Sequence, residues 1–177
     1  RDIALRDNSI HYDFEGRAEL CRHLGRLKKG AGAVVAVDVA VHIVGLLGKF
    51  KEETEAAAKK LAAERPGDES LQPAQRKRRD AEAEAEAAAA YLARREMVLS
   101  TVSAWFTQEY LRSLEITVEH LPNPELYDSC GKILEFVTSE DNADRSVRIT
   151  EEAMTSLKFN VDEQLAIEEM CLRLCEK

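Results

Sequence analysis

The sequence has 177 residues, of which 45% are hydrophobic and 33% are charged; this composition excludes a disordered chain and allows a buried core in one domain or two small ones. The net charge is -8 at pH 7, and residues 120–177 carry 13 acidic against 6 basic side chains. An acidic chain repels phosphate backbones, so generic nucleic-acid binding is disfavoured and a partner with a basic surface is favoured.

The first 30 residues predict a short extended segment followed by a helix. Apolar and polar residues alternate along part of 3–15, which is the period of a half-buried strand. From Gly16 onward the apolar residues fall at helical spacing, and Lys28, Lys29 and Gly30 supply a cationic last turn with a glycine stop. We therefore expect a short N-terminal strand and then a first helix.

The segment 31–47 fits two secondary structures. Its β-branched residues at every second position from Val35 to Ile43 favour a strand, whereas its apolar residues three or four apart from Val34 to Leu47 favour a helix. The segment continues without a turn into a stretch rich in Ala, Glu and Lys. We predict a buried helix here, with the strand as the alternative.

Residues 65–73 contain two prolines and a glycine and predict the turn of a long helical hairpin. The second arm, 75–114, would measure about 60 Å at 1.5 Å per residue. Its first half, 80–90, alternates acidic residues with alanine, so we expect it to project into solvent. Its second half carries an apolar face of core width, made by Leu92, Val98, Leu99, Val102, Trp105, Phe106, Tyr110 and Leu114.

Pro122 and Pro124 end this arm, and the remaining chain predicts shorter helices. They are expected at Leu126–Val137, from near Thr150 after a polar loop over 138–146, and after Asn160 or Val161. The last of them has apolar residues on more than one face, which indicates packing against two neighbours.

The predicted fold class is therefore mainly α: a helical bundle with a long projecting antiparallel helical hairpin and a short N-terminal strand. The hairpin belongs to an N-terminal region, 1–120, and the short helices belong to a C-terminal region, 121–177. The two regions could also form one continuous domain.

The cysteines and the hydropathy of the chain bear on its cellular compartment and on whether it spans a membrane. Cys21, Cys130, Cys171 and Cys175 are too scattered for the disulfide framework of a small secreted domain, so we predict a reducing, intracellular compartment. The chain begins at Arg1, which leaves room for removal of a targeting peptide and entry into an organelle. The most apolar run is interrupted by charge and is shorter than the roughly 20 residues that cross a bilayer, so no transmembrane segment is predicted.

Asp38 and His42 are the first candidate site, because they stand four residues apart inside the most apolar segment. On one side of a helix, the carboxylate and imidazole could pair and serve catalysis or metal binding. Two groups make only half of such a site, and no nearby motif completes it. We expect a core pair with satisfied hydrogen bonds.

Four residues, Cys21, His23, Cys171 and Cys175, contain soft ligands for zinc. Their spacing differs from that of the common zinc modules, and free cysteines are usually buried as small apolar groups. We therefore expect core thiols and predict no metal.

Two polar runs also have simpler explanations. Oxygen donors from Asp141 to Glu152 suggest a calcium loop, but the sixth position is Ser146 where the loop requires glycine, so we expect a polar interhelical loop. The basic run 76–79 is followed at once by acidic residues, which indicates a solvated helix face.

No motif defines a reaction, and we predict no catalytic residue, no metal and no cofactor. Our leading hypothesis is a non-catalytic accessory or scaffold subunit of a larger multi-protein assembly, acting through helix–helix contacts. One alternative is a small helical enzyme or ligand-binding protein with an internal Asp38–His42 pocket, and another is a regulatory adaptor that binds an amphipathic peptide. The predicted partner-binding residues are Trp105, Phe106, Tyr110, Leu114, Leu165 and Leu172.

Overall fold

A computed structural model describes residues 14–64, 72–128, 130, 137–159 and 161–176. Within these ranges the chain forms five α-helices and no strand, which confirms the mainly-α prediction. The helices are α1 (Arg17–Leu24), α2 (Ala33–Glu64), α3 (Pro73–Ser113), α4 (Glu140–Ser156) and α5 (Glu163–Cys175), with short 3-10 turns at Val118–His120, Pro124–Tyr127 and Leu157–Phe159. Most of the predicted N-terminal strand lies outside the described residues.

Helices α2 to α5 form an antiparallel four-helix bundle. α2 packs against α3 and α5, α4 packs against the same two helices, and α1 lies on α2 and α3. Arg95 of α3 pairs with Glu163 at the start of α5, whereas the backbone N–H of Gly30, just before α2, donates to the carbonyl of Cys175 at 3.1 Å. Each helix therefore runs opposite to its neighbours, as short connections between packed helices favour.

Segment 31–47 is helical, as predicted. One face of α2 supplies the core residues Ala36, Val39, Ala40, Ile43, Leu46, Leu47 and Phe50. Their separations of three and four residues are those of a helix face, and the helix continues to Glu64 because the residues that follow have high helix propensity.

The long hairpin arm is also confirmed, as a helix of 41 residues. Gln72 and Gln75 form a capping box at its start, and Pro73 occupies the first helical position, where a missing N–H costs nothing. Residues 80–90 are mostly exposed, as predicted. Leu92 is 54% exposed and does not belong to the core, so the predicted core face begins too early and starts in fact at Val98.

The C-terminal third differs from the prediction at one helix start. α4 begins at Glu140, so the expected loop over 138–146 is mostly helix, and Asp141 to Glu152 form no calcium loop. The predicted helix over 126–137 is described only in part, as the 3-10 turn at Pro124–Tyr127 and the exposed Val137. The last helix begins after Asp162, whose carboxylate accepts the backbone N–H of Leu165 at 3.0 Å.

A buried polar network joins the C-terminal third to α3. Glu109 Oε1 accepts from the guanidinium of Arg112 at 2.7 Å and from the hydroxyl of Tyr127 at 2.9 Å. The Tyr127 ring packs edge-on against Trp105, with ring centres 5.0 Å apart. Since one continuous core contains residues from Leu20 to Cys175, regions 1–120 and 121–177 share a single core.

Candidate functional site

Asp38 does not form the expected core pair with His42. Its side chain is half exposed and accepts a hydrogen bond from Arg26, which lies after α1. Asp38 also lies 3.7 Å from Nδ1 of His23 on α1. The carboxylate of Asp38 therefore faces Arg26 and His23 at the surface rather than His42.

His42 instead stacks on His23. The two rings are almost parallel, at 9°, with centres 4.1 Å apart. Nε2 of His42 is buried and has no hydrogen-bond partner among the described residues. Glu19 stands one turn before His23 on α1, and one potential ligand atom from each of Glu19, His23 and His42 lies within 4.8 Å of the others.

The surroundings of His23 favour its neutral form. Burial lowers the pKa of His23, and the neighbouring His42 lowers it further, whereas Asp38 and Glu19 act in the opposite direction. A neutral imidazole has a free lone pair, so His23 can offer a nitrogen ligand. Glu19, His23 and His42 are the group of described residues best suited to hold a metal ion.

The four cysteines are free and buried, as core thiols are expected to be. Burial raises the pKa of Cys21 to about 12, and it raises that of Cys171 to the same range. Only the thiolate is a good metal ligand or nucleophile. The combination of His23 with Cys171 and Cys175 considered from sequence is therefore disfavoured, and His23 faces a different set of groups.

A second feature is an apolar surface on the outer side of α2. Val34, Val37 and Val41 are 84%, 51% and 64% exposed, and they follow one another at helical spacing. Asp38, His42 and Lys49 lie on the flank of α2 that meets α1 and Glu15. Helical periodicity places Val37 on the other flank, toward α5, with Val41 outermost.

α5 carries a matching apolar row. Leu165 and Leu172 lie on the outward side of α5, opposite its buried residues Ile167 and Leu174. These leucines are 62% and 39% exposed. Because α2 and α5 are adjacent and antiparallel, we group the exposed rows of both helices under one name, the valine–leucine seam, and define it as Val34, Val37, Val41, Leu165 and Leu172.

The predicted partner-binding residues separate into three groups. Trp105 and Phe106 are only 1% and 3% exposed, so they form the core and are unavailable to a partner; this corrects the prediction for both. Tyr110 is half-buried, and Leu114 is exposed at the end of α3. Leu165 and Leu172 belong to the seam. The helical spacing of the α2 valines is visible in the sequence, but spacing alone does not show that Val34, Val37 and Val41 are exposed.

α2 also contains a segment, Ala33–Ala63, that is long and apolar enough to cross a membrane by length and composition, and it is the only such helix in the part of the chain described. Its most apolar window is 39% buried in the fold. Core helices pass the same test, and the inner face of α2 is a core face. Length and composition are weak grounds for a spanning helix.

Comparisons with protein-family models, with curated proteins and with solved structures find no significant match.

Proposed function

We propose that this chain is a non-catalytic accessory or scaffold subunit of a larger assembly, and that the valine–leucine seam is where it binds a helix of another subunit. The observation that carries the proposal is the position of the seam. Five large apolar side chains, contributed by two adjacent helices, are exposed on the outside of a bundle whose core is formed by other residues. Contiguous apolar surface of this kind typically marks a docking site.

The dimensions of the seam suit a helix. The exposed side of α2 from Val34 to Gly48 is about 20 Å long, which corresponds to roughly 14 residues of a helical partner. Gly45 and Gly48 are exposed and have no heavy atom of another element within 4 Å of the place where a Cβ would stand. A second helix could therefore approach the backbone of α2 closely.

The charges beside the seam indicate the character of that helix. Glu168 and Glu176 lie in the same i, i+3 and i, i+4 row of α5 as Leu165 and Leu172. The chain as a whole is acidic. The partner is therefore an amphipathic helix whose apolar stripe is bordered by Lys or Arg.

Site-specific photocrosslinking tests this proposal. A photoreactive residue at Val41 or Leu172 should crosslink in cells to one other protein, whereas the same residue at Ala85, on the exposed hairpin, should not. The purified partner should then bind the wild type and lose at least tenfold in affinity for Val37→Gln/Leu172→Gln. Leu61→Gln is the matched control, because Leu61 is exposed on the same helix far from the seam. Crosslinks only to lipid, or only to a second copy of this chain, would contradict the proposal.

A further inference from the structure

We propose that Glu19, His23 and His42 form a binding site for a divalent transition-metal ion of the zinc class, which joins α1 to α2. This site faces α1, whereas the valines of the valine–leucine seam are exposed on the outside of α2.

The geometry is close to that of a three-ligand site. Glu19 and His23 stand one turn apart on α1, His42 comes from the adjacent helix, and their candidate ligand atoms lie within 4.8 Å of one another. Ligands bound to one zinc ion at about 2.0–2.1 Å lie about 3.3 Å apart in a tetrahedral arrangement. The side chains therefore need to close by at most about 1.5 Å, and the exposed Glu19 is free to adjust its rotamer.

His42 supplies an independent observation. Its Nε2 is buried and has no hydrogen-bond partner among the described residues, whereas buried polar atoms in folded proteins are almost always satisfied. A metal ion would use this lone pair. The two imidazoles are nearly parallel, so one ring must turn about its χ2 angle to bring both lone pairs onto one ion.

Asp38 completes the surroundings of the site. Histidines that bind metals usually donate their second ring N–H to a carboxylate, which fixes the tautomer and orients the ring. The carboxylate of Asp38 lies 3.7 Å from Nδ1 of His23 and is itself held by Arg26. The guanidinium of Arg26, which can only donate, also lies 3.4 Å from this Nδ1. For His23 to present Nε2 to an ion, Nδ1 must therefore carry the proton and approach Asp38 in place of Arg26.

The ligand set selects the class of ion. Two imidazoles and one carboxylate suit Zn²⁺, Co²⁺, Ni²⁺ or Cu²⁺, whereas Mg²⁺ and Ca²⁺ prefer oxygen ligands. The lowered pKa of His23 helps, because a neutral imidazole need not lose a proton before it binds. An ion that bridges α1 and α2 binds only the folded chain, so it should raise the melting temperature.

Calorimetric titration of the EDTA-treated chain with ZnCl₂ tests the site, with MgCl₂ as the comparison ion. We expect one equivalent of Zn²⁺ to bind and to raise the melting temperature, with no effect of Mg²⁺. His42→Gln and Glu19→Gln should each weaken binding at least tenfold, and Asp38→Asn should weaken it by about tenfold. His120→Gln is the matched control, because His120 is an exposed histidine outside the cluster.

The visible spectrum of the Co²⁺ complex identifies the ligands. Nitrogen and oxygen ligands give d–d bands without a strong thiolate charge-transfer band. Glu19→Gln keeps the test valid if His42→Gln fails to fold, because Glu19 is exposed. The proposal is overturned if the wild type binds no Zn²⁺, if the Glu19 and His42 variants bind it as tightly as His120→Gln, or if the Co²⁺ complex shows thiolate ligands.

Discussion

The buried ion pair between Arg112 and Glu109 predicts a large loss of stability when one partner is removed. The side chains of Arg112 and Glu109 are only 6% and 16% exposed. In Arg112→Met the carboxylate of Glu109 would stay out of water, and the hydroxyl of Tyr127 would be its remaining donor in the buried polar network. Removing one partner of a buried pair typically costs about 3–5 kcal/mol. For a chain of this size that corresponds to a melting temperature lower by about 6–20 °C.

Urea unfolding followed by circular dichroism measures this loss. The double variant Arg112→Met/Glu109→Leu removes both charges and should recover most of the stability, because apolar groups of similar volume often replace a buried pair at little cost. If Arg112→Met unfolds within about 0.5 kcal/mol of the wild type, the network does not hold the Pro124–Tyr127 turn on α3.

Three further predictions follow from burial. Phe106→Ala should cost about 3–5 kcal/mol because the ring is buried, whereas Leu92→Ala should cost about 0.5 kcal/mol or less; equal losses in urea unfolding would contradict the position of the core. Cys21, whose pKa is raised to about 12, should resist iodoacetamide at pH 8 in the native chain and react rapidly in 6 M guanidinium. Mass spectrometry can follow the alkylation, and rapid reaction of the native chain would show that Cys21 is not buried. The pKa of His23 is lowered by burial and by His42, so the folded state binds fewer protons than the unfolded state, and stability should fall as pH drops below about 6.5. The urea midpoint should decline more steeply between pH 7.5 and 5.5 for the wild type than for His23→Asn, and equal slopes would rule the effect out.

The sequence predicts the positions of the helices better than it predicts which helices pack against one another. The long arm, the turn before it and the helical state of 31–47 follow from periodicity and propensity, which are local properties. Leu92 continues the apolar pattern of Leu99 and Phe106, but α4 and its 3-10 turn end beside Leu99 and Arg95, so none of the described helices covers Leu92. The length of a packing neighbour cannot be inferred from the pattern of the helix it packs against.

The start of α4 could have been found from sequence. Ser139 is a favourable N-cap residue, and Glu140 and Asp141 place negative charge in the first turn, where the helix dipole favours it. The oxygen donors that suggested a calcium loop are therefore also helix-start residues. A helix, unlike a calcium loop, does not require a glycine at the position that Ser146 occupies.

Both candidate sites depend on contacts between helices that spacing within one helix cannot show. Asp38 and His42 share a side of α2, but their contacts come from His23 on α1 and from Arg26 in the turn after it. The segment 31–47 is apolar on both faces, and only the positions of α3 and α5 determine that Val39 and Ile43 face the core.

Native mass spectrometry of the chain recovered from its own cells tests the central claim most directly. We expect the wild type to be recovered in a defined complex with at least one other protein. Val37→Gln/Leu172→Gln should be recovered as the free chain with an unchanged melting temperature, and Leu61→Gln should behave like the wild type. Recovery of the wild type as a free monomer, or of the seam variant in the intact complex, would contradict the account.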